Sequence, residues 1–146
     1  MLPPFNARGL LPPGVHTARW SEVVSRFGTN AHRLKLLKGL QRALQALRAA
    51  GCRTVYIDGS FVTAKKVPGD FDGCWDLGFV DPDLLDPILL TFDVGRRTQK
   101  QKYFGELFPA EMDAVVGQSF LEFFQTDKTT GEPKGIVKLD LRRWKL

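Results

Sequence analysis

The longest regular pattern in the chain spans residues 31–50, where Leu36, Leu37, Leu40, Leu44 and Leu47 recur at intervals of three and four. That spacing predicts an amphipathic helix, capped by Asn30 and stopped by Gly51. Arg33, Lys35, Lys38, Arg42 and Arg48 occupy the remaining positions, and a solvated face is expected for them. Trp20, Val23, Val24 and Phe27 repeat the pattern on a smaller scale. There Thr17 is the expected cap and Gly28 the stop. Residues 53–58 have the opposite character: short, β-branched and aromatic, with glycine on either side, which reads as a strand. Further strands are expected at 70–76, 106–108 and 135–141, and residues 89–92 fit either a strand or a buried helical end. Helical turns are expected within 61–66, 95–104 and 119–124, and turns at 83–86 and 129–133.

Pro3-Pro4 and Leu11-Pro12-Pro13-Gly14 make residues 1–16 an expected extended arm, lying on the protein or free of it. One domain then covers 17–146 and ends in a basic tail, Arg142-Arg143-Trp144-Lys145. Helices, two close strands, more helices and further strands follow one another. The expected class is α/β (α+β), a small mixed β-sheet flanked by helices.

Composition narrows the function. With 146 residues, 43% hydrophobic and 25% charged, the chain is neither disordered nor fibrous and is too short for a multidomain enzyme. Lys and Arg total 21 against 16 Asp and Glu, a net charge of +5. That excess favours polyanionic partners such as RNA, DNA or nucleotides, or else serves solubility alone. Cys52 and Cys74 lack CxxC spacing and a neighbouring histidine, so they read as reduced thiols rather than a zinc site. His16 and His32 stand alone and are assigned no role. No run of about 18 apolar residues offers a membrane span, and Met1-Leu2-Pro3-Pro4-Phe5 does not open a secretory signal. A cytoplasmic protein is expected.

One stretch carries chemistry: Val55-Tyr56-Ile57-Asp58-Gly59-Ser60, then Asp70-Phe71-Asp72. Residues two apart on a strand face the same side, so Asp70 and Asp72 are expected together on one sheet face. Two carboxylates that close repel unless a divalent cation such as Mg²⁺ lies between them. Gly59 lets backbone approach a ligand closely, and Ser60 offers a hydroxyl and nearby N–H groups to a phosphate. A phosphate cradle and a metal-binding acid pair are the parts that nucleotidyl transfer needs.

An apolar strand, Gly-Ser, a short gap and Asp-x-Asp resemble the signature of the nucleotidyltransferase superfamily, which includes DNA polymerase β-like and minimal nucleotidyltransferases. Gly-Ser-Phe-Val-Thr-Ala-Lys, Gly-Asp-Phe-Asp-Gly-Cys-Trp-Asp and Pro-Lys-Gly-Ile-Val look like an uncharacterised bacterial family within it. The resemblance implies a nucleotidyltransferase-like fold and an NTP substrate, ATP among the candidates. It implies that Gly59 and Ser60 hold the triphosphate while Asp70 and Asp72 bind two Mg²⁺ ions. A third carboxylate on a following strand would act on the incoming hydroxyl. Glu106 is placed first for that role and Asp140 second, ahead of Asp93 and Asp76. Lys65 and Lys66 can reach phosphates or stand in solvent. Asp58 departs from the pattern, which normally has an apolar or aromatic residue there. The acceptor implied is an RNA, such as a tRNA 3′ end, or a protein. Small enzymes of this kind belong to toxin–antitoxin or phage-defence pairs, so a cognate protein partner is expected. The alternative is a non-catalytic, antitoxin-like or RNA-binding module that keeps the fold. Arg96, Arg97, Lys100 and Lys102 fit either an RNA contact or a solvent-facing helix. Phe120, Phe123 and Phe124 are expected in the core rather than as stacking platforms for bases.

Overall fold

Five strands form a mixed sheet in a computed structural model that describes residues 1–144. They are β1 (Gly14–Ala18), β2 (Thr54–Asp58), β3 (Phe71–Trp75), β4 (Gly105–Pro109) and β7 (Gly135–Asp140), in the order β1-β7-β2-β3-β4. β2 runs antiparallel to both of its neighbours, whereas β1 with β7 and β3 with β4 are parallel pairs. Helices α1 (Trp20–Phe27), α2 (Ala31–Ala49) and α3 (Arg97–Tyr103) join it, together with a short β5–β6 ribbon (Asp113–Val115, Gln118–Ser119) and the single turn α4 (Phe120–Phe123). This is the expected mixed α and β architecture. Among the described residues, no helix is long and apolar enough to cross a membrane.

Strand alternation sorts the side chains into two layers. Val55, Ile57, Phe71, Trp75, Leu107, Val137 and Leu139 pack against Val23 and Phe27 of α1 and the leucines of α2. The opposite face carries Cys74, Phe108 and Ile136, covered by Phe120, Leu121, Phe123 and Phe124. Phe108 and Phe120 stack with centroids 4.0 Å apart, so the aromatic cluster belongs to a core, as expected. Capping follows sequence closely at α2, where the Asn30 side chain accepts from the Arg33 N–H at 2.8 Å, and at α4, where Ser119 and Glu122 form a reciprocal capping box.

Several expectations need correction. The arm is not extended throughout: it lies on the protein through buried Leu2 and Leu11, and its last residues belong to β1, which crosses the 16/17 boundary. Thr17 sits in that strand opposite Lys138, so it caps nothing. Helix α1 starts after Arg19, which makes no side-chain cap bond. Of the two alternatives for residues 89–92 the helical end holds, since a 3₁₀ turn covers Pro87–Leu90 and buries Leu89. Arg33 leaves the solvated face of α2 and is 2% exposed, because the loop after β2 turns its carbonyls toward it. In the basic tail, Arg142 and Arg143 form a 3₁₀ turn, while Lys145 lies outside the described residues.

Candidate functional site

Pairing register builds the site. Asp58 of β2 lies opposite Asp72 of β3, and Asp72 lies opposite Glu106 of β4, so three acids cross the sheet in one row. Asp70, two residues before Asp72, completes the group. Carboxylate oxygens of Asp70, Asp72 and Glu106 all lie within 4.8 Å of one another, and all three side chains are half-buried.

Electrostatics separates the roles. Burial pushes the Asp72 carboxyl up to about 8, helped by Glu106, Asp70 and Asp58. Burial also raises Glu106, but hydrogen bonds from Asp72 and Arg96 outweigh it and hold that carboxyl below its ordinary range. In the absence of a cation, Asp72 therefore keeps a proton and donates it toward ionised Glu106. Basic residues compensate the rest: Arg96 Nε donates to Glu106 at 2.6 Å, and Lys100 Nζ stands 3.2 Å from Asp70. Arg96 achieves this from a left-handed backbone conformation (φ 51°), a strain of about 1–3 kcal/mol of the kind that gathers at functional sites. Neither partnership was foreseen. The only hint in sequence is that Arg96 and Lys100, four apart, stand close before Glu106.

Asp58 is buried, and its counter-charge is Lys134 at 3.3 Å, on the segment leading into β7. Burial raises its carboxyl to about 6, with Lys134 opposing the shift. A buried acid at this position is thus balanced by a lysine that sequence reasoning passed over.

Gly59 follows at once, with φ +81°. A Cβ here would stand 2.2 Å from an Asp72 carboxylate oxygen, so both conformation and space call for glycine. Ser60 opens a 3₁₀ turn (Ser60–Val62), and its carbonyl accepts from Thr63 Oγ1 at 2.6 Å. Lys65 and Lys66 are exposed on the loop that follows, whose carbonyls are gripped from α2: Lys65 by Arg33, Lys66 by Asn30 and Pro68 by His32. The sequence assigned His32 no role, but it helps fasten the segment between Gly-Ser and Asp-x-Asp.

The rival third carboxylates lie elsewhere. Asp140 ends β7 opposite Thr54, four positions from Asp58 along β2 and so about 13 Å from it. It binds Arg142 at 3.0 Å and caps the turn that follows. Asp93 accepts from Thr98 Oγ1 at 2.6 Å, and Asp76 accepts from the Gly78 N–H at 2.8 Å beside a separate cavity of about 310 Å³ near Tyr56 and Glu111. Glu106 is the acid that joins Asp70 and Asp72.

Two expectations test this geometry. Gly59→Ala combines an alanine at positive φ and extended ψ, about 1–3 kcal/mol, with displacement of Asp72. Its melting temperature should fall by about 5–10 °C, and an unchanged value would mean that the turn is not held this tightly. The second concerns pH. Asp58 and Asp72 bind protons more strongly folded than unfolded, so the stabilisation present below about pH 4 is lost progressively as pH rises through about 6 and then 8. In EDTA the melting temperature should decline from pH 5 to 8.5. On the cation binding expected of these acids, Mg²⁺ at ten times its pH 8.5 dissociation constant should restore about 3–5 °C at pH 8.5 and much less at pH 5. Calorimetry at the two pH values checks both signs.

The model of a family of unknown function matches residues 3–140, most of the chain. No curated protein and no solved structure matches it.

Proposed function

The chain belongs to DUF6932, a family of unknown function, and we propose that it is a Mg²⁺-dependent nucleotidyltransferase, moving a nucleoside monophosphate from an NTP to a hydroxyl group. One observation carries this reading: Asp70, Asp72 and Glu106 converge beside Gly59-Ser60, the sequence arrangement that resembles the nucleotidyltransferase superfamily.

The donor set fits the cation. Three carboxylates are hard oxygen ligands, and a group that must keep a proton when alone is one that a divalent ion can relieve. Asp70 and Asp72 would hold it, with two ions expected from the resemblance. When bound, Mg²⁺ supplies Lewis-acid charge that polarises the phosphoryl oxygens and neutralises the departing pyrophosphate. The remaining work falls to the chain. The turn at Gly59 and Ser60, with Lys65 beyond it, binds the triphosphate. Glu106, kept ionised by Arg96, takes the proton of the acceptor hydroxyl. The acceptor oxygen bonds to the α-phosphorus as the bond from that phosphorus to the β-phosphate oxygen breaks, and pyrophosphate carries away the electron pair. An RNA or a protein can supply the hydroxyl, and a cognate partner of the toxin–antitoxin or phage-defence kind belongs to the same proposal. A cytoplasmic setting, which provides NTPs and keeps Cys52 and Cys74 reduced, suits it.

The test is incubation with α-labelled NTPs, Mg²⁺ and either total RNA or candidate partner proteins. Label transfer that disappears in Asp70→Ala and Asp72→Ala supports the reaction. Magnesium-dependent NTP binding with no transfer to any acceptor favours the non-catalytic module instead. If no nucleotide binds, both readings fall.

A further inference from the structure

A cavity of about 370 Å³ lies between α2 and α3. Its wall includes His32 and Lys35 from α2, Lys100 of α3, Phe104 just beyond it, and Asp70 from the carboxylate group. That volume is within the range of sites for nucleotide-sized ligands. The Phe104 ring in that wall carries two cations: Lys35 Nζ is 5.0 Å and the Arg42 guanidinium 5.1 Å from its centroid, and Arg42 also donates to the Lys102 carbonyl at 2.8 Å. Lys35, Lys38 and Arg42 follow one another at helical spacing on α2 and are exposed, so a basic line leads along the helix to the cavity.

The link to the reaction centre is the Lys100–Asp70 pair, 3.2 Å apart. A divalent ion held by Asp70 takes away the acid that Lys100 now faces. The cavity is then left with the charges of Lys35 and Lys100 and calls for an anion. We propose that this anion is a backbone phosphate of the acceptor, and hence that the acceptor is a nucleic-acid strand rather than a protein side chain. This inference rests on the nucleotidyltransferase reading of the same site. A strand seated by its phosphodiester against Lys35 and Lys100 brings its terminal hydroxyl to the Asp70 side of the carboxylates. His32 forms wall rather than ligand, since its Nε2 is engaged by the Pro68 carbonyl.

The experiment is fluorescence anisotropy of a short labelled single-stranded RNA with a 5′-hydroxyl, in Mg²⁺ without NTP, at several salt concentrations. No chemistry occurs under these conditions, so binding is read apart from transfer. Three lost phosphate contacts flatten a single-strand salt slope by about 2. The Lys35→Gln/Lys38→Gln/Lys100→Gln protein should therefore bind at least about tenfold more weakly at 0.1 M salt with a slope reduced by about that amount. The Lys35→Gln/Lys38→Gln protein keeps Lys100 and should show about two-thirds of the slope change. Neutralising Arg19, Arg53 and Arg143 to Gln, at the far end of the sheet, should change affinity less than about twofold. A DNA strand of the same sequence forms a second arm. Equal binding assigns recognition to the phosphodiester chain, RNA-only binding adds the ribose hydroxyls, and both support the cavity. Equal loss in the distant variant overturns the proposal, as does competitive displacement of RNA by NTP, which would give the cavity to the triphosphate. If RNA does not bind while label passes to a protein, the proposal fails and nucleotidyl transfer stands. If RNA binds through the cavity and no acceptor is ever labelled, the cavity stands and transfer fails.

Discussion

In the proposed reaction, Asp72→Asn is expected to cut NMP transfer by about three orders of magnitude, and in EDTA at pH 8.5 to melt higher than the parent. The loss follows from position: Asp72 is central in the acid row, between Asp58 and Glu106 and two residues from Asp70. An amide there forfeits charge stabilisation of the transition state, for which about 4 kcal/mol corresponds to about 10³ in rate. The gain in stability follows from the same crowding. The carboxyl is pushed up to about 8, chiefly by burial and then by its acidic neighbours. Between about pH 4 and 8 the folded parent holds a proton that the unfolded chain has released, and the resulting penalty grows with pH until it levels off above 8. Asparagine has nearly the same shape, donates to Glu106 as the protonated acid does, and carries no such penalty. On the proposed cation binding, saturating Mg²⁺ should reverse the order, because the parent would gain a ligand that the variant binds weakly. Scanning calorimetry of both proteins, at pH 6 and 8.5 with EDTA or Mg²⁺, separates the cases. A variant that melts lower than the parent at pH 8.5 in EDTA would show that the acids are not in conflict, and the case for a cation among them would lose its footing.

Asp70, Asp72 and Gly59-Ser60 were legible because their signals are local. The two-residue spacing of the acids, and a glycine at the end of a separate β-branched strand, need no knowledge of distant sequence. Glu106 and Asp140 could not be separated that way. Both sit on good strands, and only register decides: Glu106 is level with Asp72, while Asp140 is level with Thr54 at the other end of β2. Strand β1 was hidden for a related reason. Its partner β7 begins at Gly135, far along the chain, and its own residues sit beside a Pro-Pro-Gly run that argues for an arm. The basic residues were hardest to read. Arg96, Lys100 and Lys134 resemble ordinary surface charges, yet each lies on one of the four clustered carboxylates. Helical periodicity alone could not have drawn Arg33 off the solvated face, since its ligands are backbone carbonyls, which leave no trace in side-chain chemistry.

Those carbonyls make Arg33→Met the substitution with the largest expected cost in stability. The guanidinium donates to the carbonyls of Phe27 (3.2 Å), Phe61 (2.7 Å), Thr63 (2.9 Å) and Lys65 (3.1 Å from Nε and 2.5 Å from Nη2). Two effects oppose each other. Methionine removes a buried charge whose ligands are carbonyl dipoles, a desolvation cost seen in the lowered proton affinity of Arg33. It also strands the carbonyls it leaves, at about 1–3 kcal/mol for each one kept from water. Because the loop can relax toward solvent, these terms do not add fully. A net loss near 4 kcal/mol, or about 10 °C in melting temperature, is the expected balance. Arg33→Lys retains the charge but has fewer donors in a different geometry, and should fall between the two. The loop runs directly from Ser60 to Asp70, so amide exchange across residues 60–70 should accelerate more than exchange in β7. A uniform rise would mean that Arg33 holds the whole fold rather than this loop. An unchanged melting temperature would mean that the carbonyls find other donors, leaving the Gly59-Ser60 turn to be positioned by the strands on either side of it.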